Sequence, residues 1–336
     1  MKGPKAAATP VLEGDANVSI DVDALNCYRR IHGLEEVKCK GGDPLWTKGL
    51  RRATSLLAEV GIGATFFVVG RDLEESVHHN IARELVDQGH EVANHTLDHP
   101  YDLRHLSRSE IARQIEEADR SIEEATGQKP VGFRTPGYNV DAGVIACSRR
   151  AGHRYDASIF SCLSYWMAKA AVMRWRRLRG DESGSSLTDP RTLLAPGRPY
   201  FPDRVDCWRA SSKPEGYVEI PMATTALRTF PIIGTSLHLM GVAGIERLWP
   251  WLNRSFPHFF SLEMHAIDFV DARDVAHEED AELLVRRQPD LRIPWTKKRE
   301  RYRLIFTRLA EERCPVTLAQ ATASVGGRGV IQLDRL

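Results

Sequence analysis

The sequence lacks the features that mark three large classes of protein. Its 46 Lys and Arg residues against 45 Asp and Glu give a formal net charge of +1, without the basic excess of a general nucleic-acid binder. No apolar run approaches the roughly 18 residues that a transmembrane helix needs, and residues 1–21 contain no apolar stretch typical of a secretory signal. The six cysteines are scattered without a CxxC pair, which argues against a disulfide framework or a zinc–sulfur site. We therefore expect a cytoplasmic protein with reduced thiols and no nucleic-acid partner.

The chain instead alternates short apolar runs with helical stretches. Residues 18–22, 64–69 and 90–94 have the composition of strands, and residues 46–60 and 107–126 have helical spacing. This β-α-β-α order predicts an α/β fold with a parallel sheet, either doubly wound or closed as a barrel.

The domain organisation follows from where this order begins and breaks. Residues 1–16 have no periodicity and are expected to form a flexible tail. Residues 17–336 are expected to form a single barrel domain, interrupted by an inserted segment at 160–216 and followed by a charged helical part at 271–336.

Polar side chains with catalytic potential follow five strand-like runs. They are Asp21, Asp23, His95, His99, Arg134, Asp156 and His265. In parallel β/α folds the carboxyl ends of the strands form the active-site face, so we expect these side chains to meet there.

The spacing within this set indicates a metal site. Asp21 and Asp23 are two residues apart, so on an extended chain both side chains project to one face. His95 and His99 are four apart, and one turn of helix would bring both imidazoles to the same side. One carboxylate with two imidazoles is a common ligand set for a divalent metal that keeps open positions for water and substrate.

The order of these motifs resembles one protein family. DxD at residue 21, ATFF at 64, EVANHTxxH at 91, GFRTPGY at 132, YDAS at 155 and a late strand ending in His are similar to the polysaccharide deacetylases, also called NodB-homology proteins or carbohydrate esterase family 4. The resemblance covers residues 17–158 and 217–270. It implies a distorted (β/α) barrel and metal-dependent hydrolysis of an N-acyl group, acetyl or formyl, from an amino sugar in a polysaccharide, a glycan precursor or a lipid-linked sugar. The DxD and HAxD spacings also resemble the subset of lipid-linked aminoarabinose deformylases.

The resemblance also implies roles for the residues of the metal site. Asp23, His95 and His99 would bind the metal, with Zn²⁺ as the expected ion. Asp21 would be the general base, held by Arg134. Most family members have two adjacent aspartates where this chain has Asp21-Val22-Asp23, so the base and ligand roles of the two aspartates stay open to exchange.

Further roles carried over from the family complete the expected site. His265 would be the general acid, oriented by Asp156, and backbone N–H groups near Gly137 and Tyr138 would stabilise the oxyanion. His238 is a second candidate for the acid, but residues 259–264 are a clearer strand leading into His265.

Three other functions fit parts of the pattern. One is a related C–N hydrolase acting on a small cyclic amide, and another is a carbohydrate-binding homologue without catalysis. The second requires a missing catalytic position, whereas every position here has a candidate residue. The third is an iron oxygenase with two histidines and one carboxylate, which the alternating helices disfavour because such sites usually lie on β folds.

Residues 165–179 combine five cations with tryptophan, methionine and leucine and contain no acidic residue. Such a composition suits a helix lying in a lipid headgroup layer, as well as a lid that packs on the barrel. We therefore expect a glycan or lipid-linked sugar as partner, with peripheral contact at the inner face of the membrane through this segment. The sequence leaves the oligomeric state undetermined.

Overall fold

The computed structural model describes residues 12, 15–178, 186–213, 216–225, 227–256, 259–323 and 325. The tail predicted for residues 1–16 lies mostly outside them, but Ala16 is already the first residue of a strand. The last residues of the predicted C-terminal part are also outside the described chain. The assignment of residues 17–336 to one domain stays a prediction.

A parallel sheet of seven strands forms the centre of the described structure. The strands are β1 (Ala16–Val22), β2 (Thr65–Val68), β3 (Glu91–Asn94), β4 (Gly132–Phe133), β5 (Tyr155–Asp156), β6 (Val218–Glu219) and β7 (Phe260–His265). Their order in the sheet is β6-β5-β4-β3-β2-β1-β7, with every neighbouring pair parallel. β1, β2, β3 and β7 coincide with the strand-like runs at residues 18–22, 64–69, 90–94 and 259–264, and strands buried on both faces have that apolar composition.

Helices follow most strands and cover the outside of the sheet. They are α1 (Leu25–Ile31), α2 (Arg51–Val60), α3 (Ser76–Asp87), α4 (Arg108–Thr126), α5 (Ala142–Ala151), α6 (Leu163–Leu178), α7 (Gly234–Ser255), α8 (Ala272–Val275), α9 (Ala281–Arg287), α10 (Trp295–Glu312) and α11 (Leu318–Ala323). A wide helical turn at Leu45–Leu50 precedes α2. Ser107 caps α4 by accepting the N–H of Glu110 at 3.2 Å, and Gly127 ends that helix in a left-handed conformation. None of the helices in the described part of the chain is long and apolar enough to cross a bilayer.

The sheet has a helix-packed outer face and an enclosed inner face. Val18, Ile20 and Val22 of β1 join the largest apolar cluster, which includes residues of α2, α7 and α10. The alternate residues Ser19 and Asp21 are also buried, but they point to the opposite face. Polar side chains therefore line the inside of the sheet at β1.

The sheet curls until its two edge strands approach each other. Between β6 and β7, the N–H of Ala223 donates to the carbonyl of Ser261 at 3.0 Å, and Ile233 forms an isolated parallel bridge with Glu263. We call this junction the seam. The predicted distorted (β/α) barrel is confirmed, and the distortion is largest at the seam, where these isolated contacts take the place of a continuous strand pair.

The structure adds helices that sequence patterns did not predict, among them α1 and α7. α1 is a short helix directly after β1, and α7 spans 22 residues. Gly241 breaks the regular φ/ψ pattern of α7, and Pro250 lies within it. These interruptions obscure the helical spacing.

Candidate active site

The carboxyl ends of β1 and β7 bring two sequence-predicted residues together. Asp21 is the register partner of His265 on one side and of Phe67 on the other. Register partners in neighbouring parallel strands point to the same face, so the carboxylate and the imidazole project into the same interior space. Asp21 is almost completely buried.

Arg134 fixes Asp21 from the strand end after β4. Its Nη1 donates to Asp21 Oδ1 at 2.5 Å, Nη2 donates to Ser19 Oγ at 3.0 Å, and Nε donates to the carbonyl of Ala157 at 2.7 Å. Burial alone would lower the pKa of Arg134, but the charges of Asp21 and Glu263 outweigh it and raise the pKa. The guanidinium is therefore charged and oriented by three hydrogen bonds.

The two histidines of the HTxxH motif lie on a loop after β3, where a helical turn was expected. That expectation was wrong: Thr96 and His99 both have positive φ. Asn94 Oδ1 accepts the N–H of Thr96 at 2.7 Å, and Thr96 Oγ1 accepts that of His99 at 3.2 Å. These side-chain bonds stabilise a tight turn that still places the two imidazole centres 5.0 Å apart.

Asp23, His95 and His99 converge on one point. Asp23 Oδ1 lies 3.0 Å from His99 Nε2 and 3.5 Å from His95 Nε2. The Nδ1 atom of His95 is 2.8 Å from the carbonyl of Arg134. Because a carbonyl only accepts, Nδ1 carries the hydrogen, and in the neutral ring Nε2 offers its lone pair toward Asp23.

These three residues fit a divalent metal. Asp23 Oδ1 and both ring nitrogens of His99 are buried, with no hydrogen-bond partner among the described residues. Burial lowers the pKa of His99, and this favours the neutral ring that binds metal. Burial raises the pKa of Asp23, but the neighbouring histidines outweigh it and hold the pKa well below its ordinary value. A carboxylate with two neutral imidazoles would be the natural ligand set for zinc or a similar ion.

Sequence patterns missed a carboxylate that contacts His265. Glu263 Oε1 lies 2.8 Å from His265 Nδ1, and His265 Nε2 is 3.9 Å from Asp23 Oδ2. Burial would lower the pKa of His265, but Glu263 outweighs it, and the pKa is raised well above its ordinary value. The signal was present: Glu263 and His265 are two apart on one strand, the same spacing that placed Asp21 and Asp23 on one face.

The predicted contact of Asp156 with His265 was wrong. Asp156 pairs in register with Phe133, which packs in the apolar cluster that includes residues of α4 and α5. Its carboxylate accepts the hydroxyl of Ser158 and lies beside its other register partner, Glu219. Asp156 therefore points to the helix-covered outer face, and Glu263 occupies the position beside His265 that was expected for Asp156.

A cavity of about 400 Å³ opens onto these residues. Its lining includes Asp21, Asp23, His95, His265, Gly137 and Tyr138, together with Tyr165 and Lys169 of α6. Gly137 and Tyr138 both have positive φ, and the N–H of Tyr138 donates to the carbonyl of Thr135 at 3.1 Å. The predicted oxyanion turn thus lies at the wall of the cavity, although one of its N–H groups is engaged within the turn.

The alternative acid, His238, lies elsewhere. It belongs to α7, and its carbonyl accepts a hydrogen bond from Arg301 of α10 at 2.7 Å. Burial, with the charges of Arg301 and Lys298, lowers its pKa to about 4. The structure thus gives His238 packing neighbours on α10 and leaves His265 at the cavity.

Comparisons with known proteins agree with this architecture. Residues 43–155 match the family model described as polysaccharide deacetylase. A chitooligosaccharide deacetylase of Sinorhizobium fredii is 36% identical over 113 residues, which are 33% of this chain and 50% of that protein. A peptidoglycan deacetylase-like protein of Gibberella zeae is 33% identical over 148 residues, 42% of this chain and 43% of its own length.

Structural similarity to a solved protein extends over more of the chain than the sequence similarity does. A crystal structure from Mycobacterium smegmatis, described as a polysaccharide deacetylase, aligns with a TM-score of 0.57 at 15% identity and covers 98% of this chain and 99% of that one. The chain spans about half the length of the curated relatives it matches. The predicted resemblance to the polysaccharide deacetylases is confirmed over residues 43–155, and the predicted NodB-type barrel fold is confirmed, whereas the aminoarabinose deformylase subset stays a prediction.

Proposed function

We propose that this member of the polysaccharide deacetylase family is a metal-dependent hydrolase that removes an acyl group from the nitrogen of an amino sugar. The observation that carries the proposal is the convergence of three sets on one cavity. They are the Asp23–His95–His99 ligand set, the Asp21–Arg134 ion pair and the Glu263–His265 pair. Amide hydrolysis needs a base, an acid and a means of stabilising negative charge, and this arrangement provides a candidate for each.

The geometry favours Asp23 as ligand and Asp21 as base. Asp23 contacts both histidine nitrogens, whereas Asp21 Oδ1 is bonded to Arg134 and its Oδ2 lies 3.9 Å from His95 Nε2. A bound zinc-type ion would lower the pKa of water and polarise the acyl carbonyl. Asp21 then takes the proton of the attacking water, while Arg134 keeps the carboxylate in position.

His265 supplies the proton for the leaving amine. Its side chain is a quarter exposed at the cavity, and Glu263 lies against its Nδ1. This contact favours the protonated ring and directs Nε2 toward the substrate. Glu263 is therefore a positioning residue, because it acts through His265.

Mass spectrometry of glycans tests the proposal. Purified protein loaded with Zn²⁺ is incubated with chitooligosaccharides, peptidoglycan fragments and lipid-linked amino sugars, and the mass lost distinguishes an acetyl group from a formyl group. His95→Ala is the matched control, since it removes one metal ligand. Turnover of a small cyclic amide alone would replace this proposal by the alternative hydrolase. Glycan binding without any mass change would indicate a carbohydrate-binding homologue.

We extend the proposal to a membrane-associated, lipid-linked substrate because α6 joins the cavity to an apolar surface. Tyr165 and Met173 line the cavity, while Met167, Trp175 and Leu178 are 58%, 54% and 78% exposed. α6 contains basic residues and no acidic one. A helix with exposed tryptophan, methionine and arginine suits an anionic headgroup layer.

A second apolar surface lies beside the start of α6. The N–H of Leu163 donates to the carbonyl of Arg228 at 2.8 Å, and the loop that follows contributes Phe230 to a groove of about 520 Å³. Trp251 of α7, 45% exposed, also lines this groove. The two surfaces together form the membrane-facing region of this proposal. Six free cysteines fit the reducing side of that membrane, the cytoplasm.

Sedimentation with vesicles tests the membrane contact. Vesicles with anionic lipid at low salt should retain the wild-type protein, and a triple change of Arg174, Arg176 and Arg177 to Glu should release it. Changing Arg120, Arg209 and Arg303 to Glu alters the net charge equally at positions outside α6. Equal release by both triple variants would show that only net charge matters, and no retention of the wild type would contradict the proposal.

A further inference from the structure

One lysine of α6 faces the active-site cavity instead of solvent. Lys169 is one helical turn from Tyr165 and from Met173, and all three line the cavity wall. A Cβ atom built on Gly137 would lie 3.8 Å from Lys169 Nζ, so the ammonium group stands over the Pro136–Tyr138 turn. Lysines on exposed helices usually extend their charged end to bulk water, whereas Lys169 is half-buried at the cavity wall.

Lys169 has no charged partner in the described structure, whereas the other cations of the site do. Arg134 is bonded to Asp21, and His265 contacts Glu263. No hydrogen bond or ion pair joins Lys169 to any described residue, and burial alone lowers its pKa to about 8. A half-buried cation without a partner costs some folding free energy, and an anion that enters with a ligand would recover that cost.

We propose that Lys169 binds an anionic group of the substrate, a phosphate or a carboxylate next to the amino sugar, and so selects acidic glycans over neutral ones. The proposal rests on the proposed function, since it assumes that the sugar occupies this cavity. A lysine suits this role because its ammonium is a compact charge on a flexible stem that can follow a tetrahedral phosphate. Lys169 is then a specificity-determining residue next to the reacting groups.

The shape of the nearby turn supports this position for the anion. Gly137 has φ of +61°, and a side chain there would come within 2.8 Å of Tyr101. Glycine at this position therefore adds no side chain of its own between the turn and Lys169. The space next to the ammonium group stays open for a substituent of the substrate.

Binding of matched sugars to the zinc-loaded protein tests the inference by calorimetry. The probes are N-acetylglucosamine 1-phosphate, N-acetylmuramic acid and the neutral methyl glycoside of N-acetylglucosamine. We expect Lys169→Met to weaken binding of the charged sugar by about 10- to 100-fold, the range of a charge-assisted hydrogen bond, and to leave the neutral glycoside nearly unaffected. The phosphate and carboxylate probes decide which anion is preferred.

Two further variants control for charge and for packing. Arg120→Met removes one positive charge from an exposed position on α4 and should leave all three affinities unchanged. Lys169→Arg keeps the charge and should restore most of the preference for acidic sugars. Thermal melting of each variant checks that the fold is intact.

The outcomes separate this inference from the proposed function. If Lys169→Met weakens the charged and the neutral sugars equally, or if the wild type binds both equally, the inference is wrong. Deacylation of neutral glycans at an unchanged rate by Lys169→Met would still support the proposed function. Absence of deacylation from every glycan would contradict the proposed function even where the charge-dependent binding is observed.

Discussion

Two pairs of buried carboxylates at the strand ends differ in the partners that the fold gives them. Asp21 and Glu263, on the inner face, contact Arg134 at 2.5 Å and His265 at 2.8 Å. Asp156 and Glu219, on the outer face of β5 and β6, are bonded to a serine hydroxyl and to the N–H of Ile159. Burial is nearly complete in both pairs, so the difference lies in the neighbouring charge.

The difference in neighbouring charge determines which carboxylates can take part in acid–base catalysis. Burial raises the pKa of Asp156 to about 7 and that of Glu219 well above its ordinary value, and the more distant charge of Arg134 does not compensate. The outer pair therefore retains a proton near neutral pH and acts as a neutral hydrogen-bonding group. The inner carboxylates each have a cation at contact distance, and only this pair adjoins the metal ligands within the described residues.

The largest effect is expected from removing a metal ligand next to the inner pair. His95→Ala or His99→Ala should lower kcat/KM on the order of 10³-fold, because several kcal/mol of transition-state stabilisation is lost with the metal. Elemental analysis of the purified variants should show reduced zinc content. His105→Ala, at an exposed position, is the control and should keep both zinc and activity. A His99→Ala variant with full zinc content and full activity would show that His99 is not a metal ligand.

Breaking the ion pair between Asp21 and Arg134 should have the largest effect on the free energy of unfolding. Arg134→Met leaves Asp21 buried without its partner, and the free energy of unfolding should fall by about 3–5 kcal/mol. Urea denaturation measures the change. Arg113→Met, on the surface of α4, should change it little. Adding Asp21→Asn to Arg134→Met should recover part of the loss, and an additive double variant would argue against the pairing.

One substitution made in both pairs compares them directly. Glu263→Gln removes the charge beside His265, and kcat should fall by roughly 10- to 100-fold, as for other groups that orient an acid–base histidine. Glu219→Gln makes the same change in the outer pair and should leave kcat within about twofold, because that carboxylate accepts the N–H of Ile159 and has no hydrogen bond to a described residue of the site. Equal losses in the two variants would contradict the distinction between the pairs.

The smallest effect concerns the pH dependence of stability. Because the pKa of Asp156 is raised from about 4 in the unfolded chain to about 7, the folded protein binds more protons between these values. The free energy of unfolding therefore falls as pH rises through this window. Asp156→Asn should flatten this dependence, by about 1–2 kcal/mol between pH 6 and pH 8, in urea denaturation. Asp87→Asn, exposed on α3, should keep the wild-type slope, and a steeper slope in Asp156→Asn would reverse the sign argued here.

Sequence patterns predicted the strands well because buried parallel strands are short, apolar and bounded by turn residues. They also predicted which residues would meet at the carboxyl edge, including Asp23, His95 and His99. Charged residues directly after a buried strand can be recognised as candidate site residues, because apolar packing does not explain them.

Some sequence-based predictions were wrong because strand register decides to which face of the sheet a side chain points. Asp156 follows a strand-like run as Asp21 does, but a shift of one residue in a period-2 strand reverses the face. Glu263 was missed because it lies within an apolar run that was interpreted as packing. The turn at Thr96 could not be predicted from the spacing of the two histidines, since it depends on the side-chain bond of Asn94.

The seam between β6 and β7 has a consequence for local opening of the barrel. β1 and β7 share a register of six residue pairs, whereas β7 meets the chain after β6 through isolated contacts at Ala223 and Ile233. Fewer backbone bonds must break there than between β1 and β7 or between β1 and β2, so the seam has a lower free energy of separation than these two pairings. Glu263, which contacts His265, lies at this junction. Thermal opening at the seam therefore displaces the proton donor, while the metal ligands that follow β1 and β3 lie at the end of the longer β1–β2 and β2–β3 pairings.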